Sequence, residues 1–209
     1  MDIRLVTLGF VGPQGAGKDF ASKTVESIWP DVIHLRKAIA DPLKAKVEQL
    51  YGIDVSARTP EVRELLQRHG AEGRDSHGEL YWLNRARQVC LETLEQHALQ
   101  PGATVAIHHP DVRLRCEAEA LKMRSFYGAP NERCYLIAID APLKLRDQRL
   151  RARAEGEELS HETDPTETEW RDISVHFRTN NNGSPTDLER RLRDIVGTIQ
   201  VWLSLPRAS

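Results

Sequence analysis

The 209 residues include only three cysteines, two methionines and four each of Phe, Tyr and Trp, and the 29 Lys and Arg nearly balance the 31 Asp and Glu. Each scarcity excludes something. Cys90, Cys116 and Cys134 are too widely spaced for a zinc or redox motif, so they read as reduced thiols in a reducing compartment. A formal net charge of −2 supplies no global field toward nucleic acid or a membrane surface, although local basic surfaces stay open. No apolar run approaches the roughly 20 residues of a membrane span. The N-terminal apolar stretch is short and passes at once into a glycine-rich turn, unlike a leader peptide. No internal repeat or low-complexity tract is evident. With 40% hydrophobic residues, the chain suits one domain, with or without an insertion, in a soluble cytoplasmic protein.

What is present centres on Gly12-Pro-Gln-Gly-Ala-Gly-Lys18-Asp19. An apolar run, Leu5 to Val11, precedes it, and a helical pattern through Ala21, Val25 and Ile28 follows. Strand, glycine loop and helix form the context of a phosphate-binding loop. Glycines allow the tight turn and the close approach of backbone N–H groups to phosphate oxygens. The helix N-terminus adds about half a positive charge, and Lys18 adds a full one within reach of the β- and γ-phosphates. The Ser or Thr usual after this lysine is replaced by Asp19, whose carboxylate can ligate Mg²⁺ directly or through water but adds negative charge. Thr24 lies too far along the helix to substitute for it.

The rest of the pattern is βαβ. Strands are expected over 3–11, 32–35, 104–109, 134–139 and 173–177, with helices over 18–28, 114–126 and from 185 onward. After the second strand, Asp41 precedes Pro42 and a helix whose Leu43, Val47 and Leu50 share a face, closed by Gly52. Asp41 reads as its cap or as a carboxylate at an acceptor site. Thr59-Pro60 starts another helix with Val62, Leu65 and Leu66 inward, and Gly70, Gly73 and Gly78 then suggest a loop. Arg63, Arg68 and Arg74 form an anion site there, or a solvated charged surface. A long helix from Tyr81-Trp82-Leu83 to about Gln100 carries Ala86, Val89, Cys90 and Leu94.

In open α/β sheets ligands lie beyond the carboxyl ends of the strands, which places Asp111 and Arg113 for chemistry; the alternative is a turn aspartate and a surface arginine. His108 and His109 alternate across a strand and suit packing better than a shared metal. The basic helix from Pro142, with Lys144, Arg146, Arg149, Arg151 and Arg153, runs into a polar stretch. It reads as a solvated face or as the base of a nucleotide-closing lid. Ser184 caps the final helix, with Pro185 at its first position and Leu188, Leu192, Ile195, Ile199 and Leu203 inward. Trp202 leaves open whether it packs on the domain or on the second subunit of a homodimer. The tally is an α/β, three-layer P-loop fold: one domain over 1–209, a mainly parallel five-stranded sheet, helical material at 42–100 and a lid at about 154–170.

These residues resemble the phage-type deoxynucleoside monophosphate kinases, within the nucleoside-monophosphate-kinase-like group. The loop Gly12–Asp19, including Asp after the lysine, is similar to that family's. So are Ala40-Asp41-Pro42-Leu43-Lys44, Leu66-Gln67 with Gly70, Arg74 and Tyr81-Trp82, Asp111-Val112-Arg113 with Glu117, and Asn182-Gly183-Ser184 with Leu188. The resemblance spans nearly the whole chain, through motifs that are short after the first. Gly17-Lys18-Asp19-Phe20 and the Asp111/Arg113 region also resemble animal-type phosphomevalonate kinase. Gln148-Arg149-Leu150 with Arg153 resembles the lid helix of dephospho-coenzyme A kinase. Some phage relatives are thought to phosphorylate hydroxymethylated bases in DNA.

The resemblance implies transfer of the ATP γ-phosphate, with Mg²⁺, to a (deoxy)nucleoside monophosphate. That acceptor oxygen is already ionised near neutral pH, so positioning and charge stabilisation suffice. The ATP site would comprise Gly12, Gln14, Gly15, Ala16, Gly17, Lys18, Asp19, Phe20, Arg149 and Asn182. Asp41, Lys44, Arg68, Arg74, Trp82 and Arg113 would line the acceptor site. Asp19 and Asp111 would hold Mg²⁺, and Lys18, Asp111, Arg113, Arg149 and Arg153 would serve catalysis. A hydroxyl acceptor (hydroxymethylated DNA pyrimidine, dephospho-coenzyme A, or a phosphomevalonate-type substrate) would instead make Asp41 or Asp111 a base. DNA is a partner only in that version. A non-catalytic nucleotide switch would need the loop alone.

Overall fold

A computed structural model describes residues 3–57, 59–97, 99–123, 125–152 and 168–204. The first strand, β1 (Arg4–Val11), is buried from Leu5 to Val11, as a central strand covered on both faces must be. It feeds α1 (Lys18–Ile28), then β2 (Ile33–Arg36) and α2 (Asp41–Tyr51). Two further helices, α3 (Pro60–His77) and α4 (Tyr81–Gln96), precede β3 (Thr104–Val112). The remainder runs α5 (Arg115–Lys122), β4 (Arg133–Asp140), α6 (Leu143–Arg151), β5 (Phe177–Asn180) and α7 (Pro185–Ser204). All strand pairs are parallel, in the order β2-β3-β1-β4-β5.

The sheet is covered on both faces. On one, Ala21 and Val25 of α1 and Leu188, Leu192 and Ile199 of α7 pack on Val6, Leu8, Phe10, Ile137 and Ile139. On the other, Leu43, Val47, Trp82, Leu83 and Leu121 meet Val11, Val112 and Leu136. Trp202 stacks on Phe177 with ring centroids 5.2 Å apart and lies 5.8 Å from Tyr135, so it packs on its own domain. No helix among the described residues is long and apolar enough to cross a membrane.

Several local expectations change. The stretch read as a glycine loop is the second half of α3, which continues through Gly70 and Gly73. Both glycines are there for packing. A Cβ at Gly73 would stand 2.7 Å from the Trp82 indole, and one at Gly70 would stand 3.3 Å from Leu43. The indole N–H donates to the Gly70 carbonyl at 3.0 Å. Two missing side chains thus let α3 lie close on α2 and α4.

The last strand is 177–180 rather than 173–177. His176 accepts the Leu136 N–H on its own ring Nδ1, which takes the place of a strand carbonyl. Leu50, expected on one face with Leu43 and Val47, and Val89 are exposed rather than inward. The helix at 114–126 is shorter, and α4 stops at Gln96. Asp41 is the first residue of α2 and accepts the Ala38 N–H at 2.8 Å, so it closes the turn before the helix instead of capping it.

The adjacent histidines do face opposite sides and are committed to packing. His108 Nδ1 lies 3.0 Å from the Ser22 hydroxyl and its Nε2 2.9 Å from His34 Nδ1. Burial, with His34 and His109 beside it, pushes its pKa down to about 3. His109 Nδ1 meets the Lys37 carbonyl at 2.7 Å and its Nε2 meets the Tyr127 hydroxyl. The three cysteines are free thiols.

Candidate active site

The loop between β1 and α1 curls on glycines whose conformations exclude side chains. Gly12, Gly15 and Gly17 have φ of 146°, 76° and 97°. A Cβ at Gly12 would overlap the Ile139 carbonyl oxygen, and one at Gly17 would overlap the Asn181 amide. At Gly15 it would come within 3.0 Å of the Arg146 backbone on α6.

Three side chains hold the loop's carbonyls. The buried Lys18 ammonium donates to the oxygens of Gly12 at 2.5 Å and Pro13 at 2.8 Å. Arg146 donates to the Gln14 oxygen at 3.3 Å, and Asn181 donates to the Ala16 oxygen at 2.9 Å. A peptide plane carries its C=O and following N–H in opposite directions. Holding the carbonyls of Gln14 and Ala16 therefore orients the N–H groups of Gly15 and Gly17 the other way. That arrangement, at the positive end of α1, is an anion cradle.

Asp19 stands exposed in the first turn of α1, with Arg36 at 3.9 Å. Phe20 is 43% exposed beside it. Among the described residues no three His, Cys, Asp or Glu side chains group as a metal site. A divalent ion here would rest on nucleotide phosphates together with Asp19, whose exposed carboxylate suits it.

At the carboxyl end of β3, Asp111 accepts N–H groups from Ile39 at 2.7 Å and Ala40 at 2.9 Å, one on each oxygen. It pins the segment that enters α2. Beyond its expected part in metal binding or as a base, Asp111 has this structural task, which uses one lone pair on each oxygen. Glu117 is buried and accepts the Arg113 and Leu114 N–H groups at 3.0 and 3.1 Å. Burial raises its pKa to about 7 against those two donors.

The acceptor-side candidates separate. Lys44 pairs with Asp41 at 3.4 Å at the start of α2, near the segment Asp111 holds. Arg113 follows β3 directly, and Arg74 lies in the last turn of α3. Arg68 sits elsewhere, donating to the Tyr51 hydroxyl at 3.0 Å, with His69 2.8 Å from the same oxygen. Trp82, expected against an acceptor, is 5% exposed with its N–H committed to Gly70; it is a core residue that docks α3 on α4. Arg149 donates to the Asn181 carbonyl at 2.7 Å. Arg153 and most of the expected lid, 154–167, lie outside the described residues.

Two residues packed against the loop are not singled out by the sequence. Arg146 was one of five cations on a basic helix, and only its burial under Gly15 distinguishes it. Asn181 is buried against Gly17, and Asn182, expected at the ATP site, stands exposed beside it. Three consecutive asparagines gave no signal for choosing between them.

No family model matches the chain, and no curated protein does. Solved structures do. The Mycobacterium tuberculosis APS kinase CysC, in complex with AMPPNP and APS, matches at TM-score 0.54 and 16% identity, over 94% of this chain and 98% of that one. The Deinococcus radiodurans tunicamycin resistance protein matches at TM-score 0.54 and 14% identity, over 93% and 96%. At such identities the likeness is one of architecture, and with the loop described above it establishes that this chain has the α/β fold of the P-loop kinases.

Proposed function

We propose that the protein is an ATP-dependent phosphotransferase whose acceptor is the phosphate of a (deoxy)nucleoside monophosphate, a cytoplasmic enzyme of deoxynucleotide metabolism. The observation that carries the nucleotide part is the loop in which Lys18, Arg146 and Asn181 hold carbonyls so that Gly15 and Gly17 present N–H groups. In this reading Lys18 leaves those carbonyls for the β- and γ-phosphates, and Arg113 and Arg74 grip the acceptor. Mg²⁺, held with the nucleotide by Asp19, would neutralise charge on the transferring phosphates. The region 42–100 would bind the acceptor and 154–170 would close over it.

The phosphate acceptor is favoured by the state of the carboxylates. Asp111 holds two backbone N–H groups, and Asp41 holds one and pairs with Lys44. Both carboxylates are engaged in positioning the start of α2, which suits an acceptor that needs no base. The hydroxyl-acceptor reading has one support: a similar fold belongs to a kinase solved with APS.

A coupled ADP-release assay tests the proposal. ATP and Mg²⁺ would be offered with each dNMP and NMP, then with phosphomevalonate, dephospho-coenzyme A and hydroxymethyluracil-containing DNA. Turnover with one or a few monophosphates is expected. Activity confined to a hydroxyl acceptor would overturn the acceptor assignment, and ADP binding without any transfer would identify a switch.

A further inference from the structure

Asn181 stands where three elements meet. Its backbone N–H donates to the Asp140 carbonyl at 2.7 Å, extending the β4–β5 pairing by one bond. Its side-chain amide reaches the Ala16 carbonyl at 2.9 Å in the phosphate loop. Its own carbonyl accepts from the Arg149 guanidinium of α6 at 2.7 Å. Among the described residues, its chain neighbours apart, the atoms within 4 Å of a Gly17 Cβ belong to Asn181. The side chain is buried, so these bonds face little competition from water.

We propose that Asn181 is a positioning residue that aims the Gly17 N–H and couples it to α6. The amide fixes the Ala16 carbonyl, and peptide planarity then fixes the Gly17 N–H. Arg149 fixes the Asn181 main chain, so a shift of α6 reaches the loop through one residue. A second grip, from Arg146 to the Gln14 carbonyl, acts on the neighbouring peptide plane. Together they make the donor direction of the loop depend on where α6 sits. Arg149 then acts through Asn181 at least as much as on a transferring phosphate. The consequence for nucleotide affinity rests on the phosphate-binding reading of the loop; the coupling itself does not.

The test is a double-mutant cycle read at the Gly17 backbone amide resonance of the free protein, using Asn181→Ala, Arg149→Ala and the pair. Arg149→Ala is expected to move the Gly17 resonance, and adding it to Asn181→Ala is expected to move it no further. Asn181→Asp, which keeps the volume but sets a carboxylate against the Ala16 carbonyl, should move it more than the alanine does. Arg149→Lys should restore part of the wild-type position. ADP affinity should fall about three- to tenfold in Asn181→Ala, as for one lost buried hydrogen bond.

A Gly17 resonance that ignores Arg149→Ala, or shifts that simply add, would overturn the coupling. So would lowered stability in both single variants with the resonance unmoved, since that is a purely structural role. A wild-type protein that binds no ADP while the cycle remains non-additive would uphold the coupling and sink the nucleotide reading.

Discussion

Around the phosphate loop, shape is set by directional polar contacts to backbone carbonyls. Lys18, Arg146 and Asn181 each hold one or two, and glycines with positive φ turn the chain between them. In the helical region between β2 and β3, α2, α3 and α4 meet through close apolar packing, with Gly73 against the Trp82 indole. The first arrangement tolerates no change in direction. The second tolerates small changes in distance, because rings and helices can shift by tenths of an ångström. A glycine therefore means different things in the two regions: backbone conformation in the loop, and clearance in the helix.

Matched substitutions should separate these meanings most sharply. Gly12→Ala places a Cβ on a backbone oxygen at a φ that alanine avoids, and should cost about 4 kcal/mol or prevent folding. Gly73→Ala sets a Cβ 2.7 Å from the buried Trp82 indole, a side chain rather than backbone, and gains helix propensity, so its net cost in urea unfolding should be about 1–2 kcal/mol. Equal costs would break the comparison.

Next in size, Lys18→Ala should lower kcat by about 100- to 1,000-fold in the ADP-release assay, the scale of removing one preorganised charge at a transferring group. Trp82→Phe should leave kcat within about twofold while lowering stability by about 1 kcal/mol, through loss of the bond to Gly70. A large kcat loss in Trp82→Phe would restore the indole to the acceptor site.

The two regions should also differ in their response to pH. Glu117, in the first turn of α5, binds its proton more tightly in the fold than in the unfolded chain, at about 7 against 4.5. Its contribution is full below 4.5 and is lost as pH rises through about 7. His108, beneath α1, binds its proton less tightly when folded, at about 3 against 6.5. Its contribution is full above 6.5 and is lost as pH falls through about 3. Urea unfolding at a series of pH values should show Glu117→Gln and His108→Gln changing the slope in opposite directions, each by effects on the order of 2 kcal/mol. Slopes of the same sign would show that one of these groups is not held as described.

The smallest effect concerns a helix start. Thr59 accepts the Val62 N–H at 3.4 Å ahead of Pro60, and Thr59→Ala should lower stability by about 1 kcal/mol or less. A greater loss would mean that the helices between β2 and β3 depend on polar contacts as the loop does.

Much of this contrast could be read before any coordinates. The loop was legible because its chemistry is local: Gly12, Gly15 and Gly17 are needed within six residues, and the strand before and helix after them carry clear periodicity. The alternation of strands and helices followed from the same periodicities. The acceptor side was harder. Gly70 and Gly73 read as a loop because glycine disfavours a helix locally, whereas Trp82, nine residues beyond Gly73, favours it through packing. Asp111 reads as a candidate for chemistry from its position beyond a strand, but nothing local shows that it also holds the amides of Ile39 and Ala40, some seventy residues earlier.

The sequence by itself determined the fold class and the phosphate loop with its Lys18, because each depends on neighbours within a few residues. Only the tertiary structure decided that Asn181 rather than Asn182 meets the loop, that Arg146 holds the Gln14 carbonyl, and that Trp82 belongs to the core. Those choices rest on contacts between residues far apart in the chain, where a shift of one position reverses which side chain faces inward, and local pattern carries no information about them.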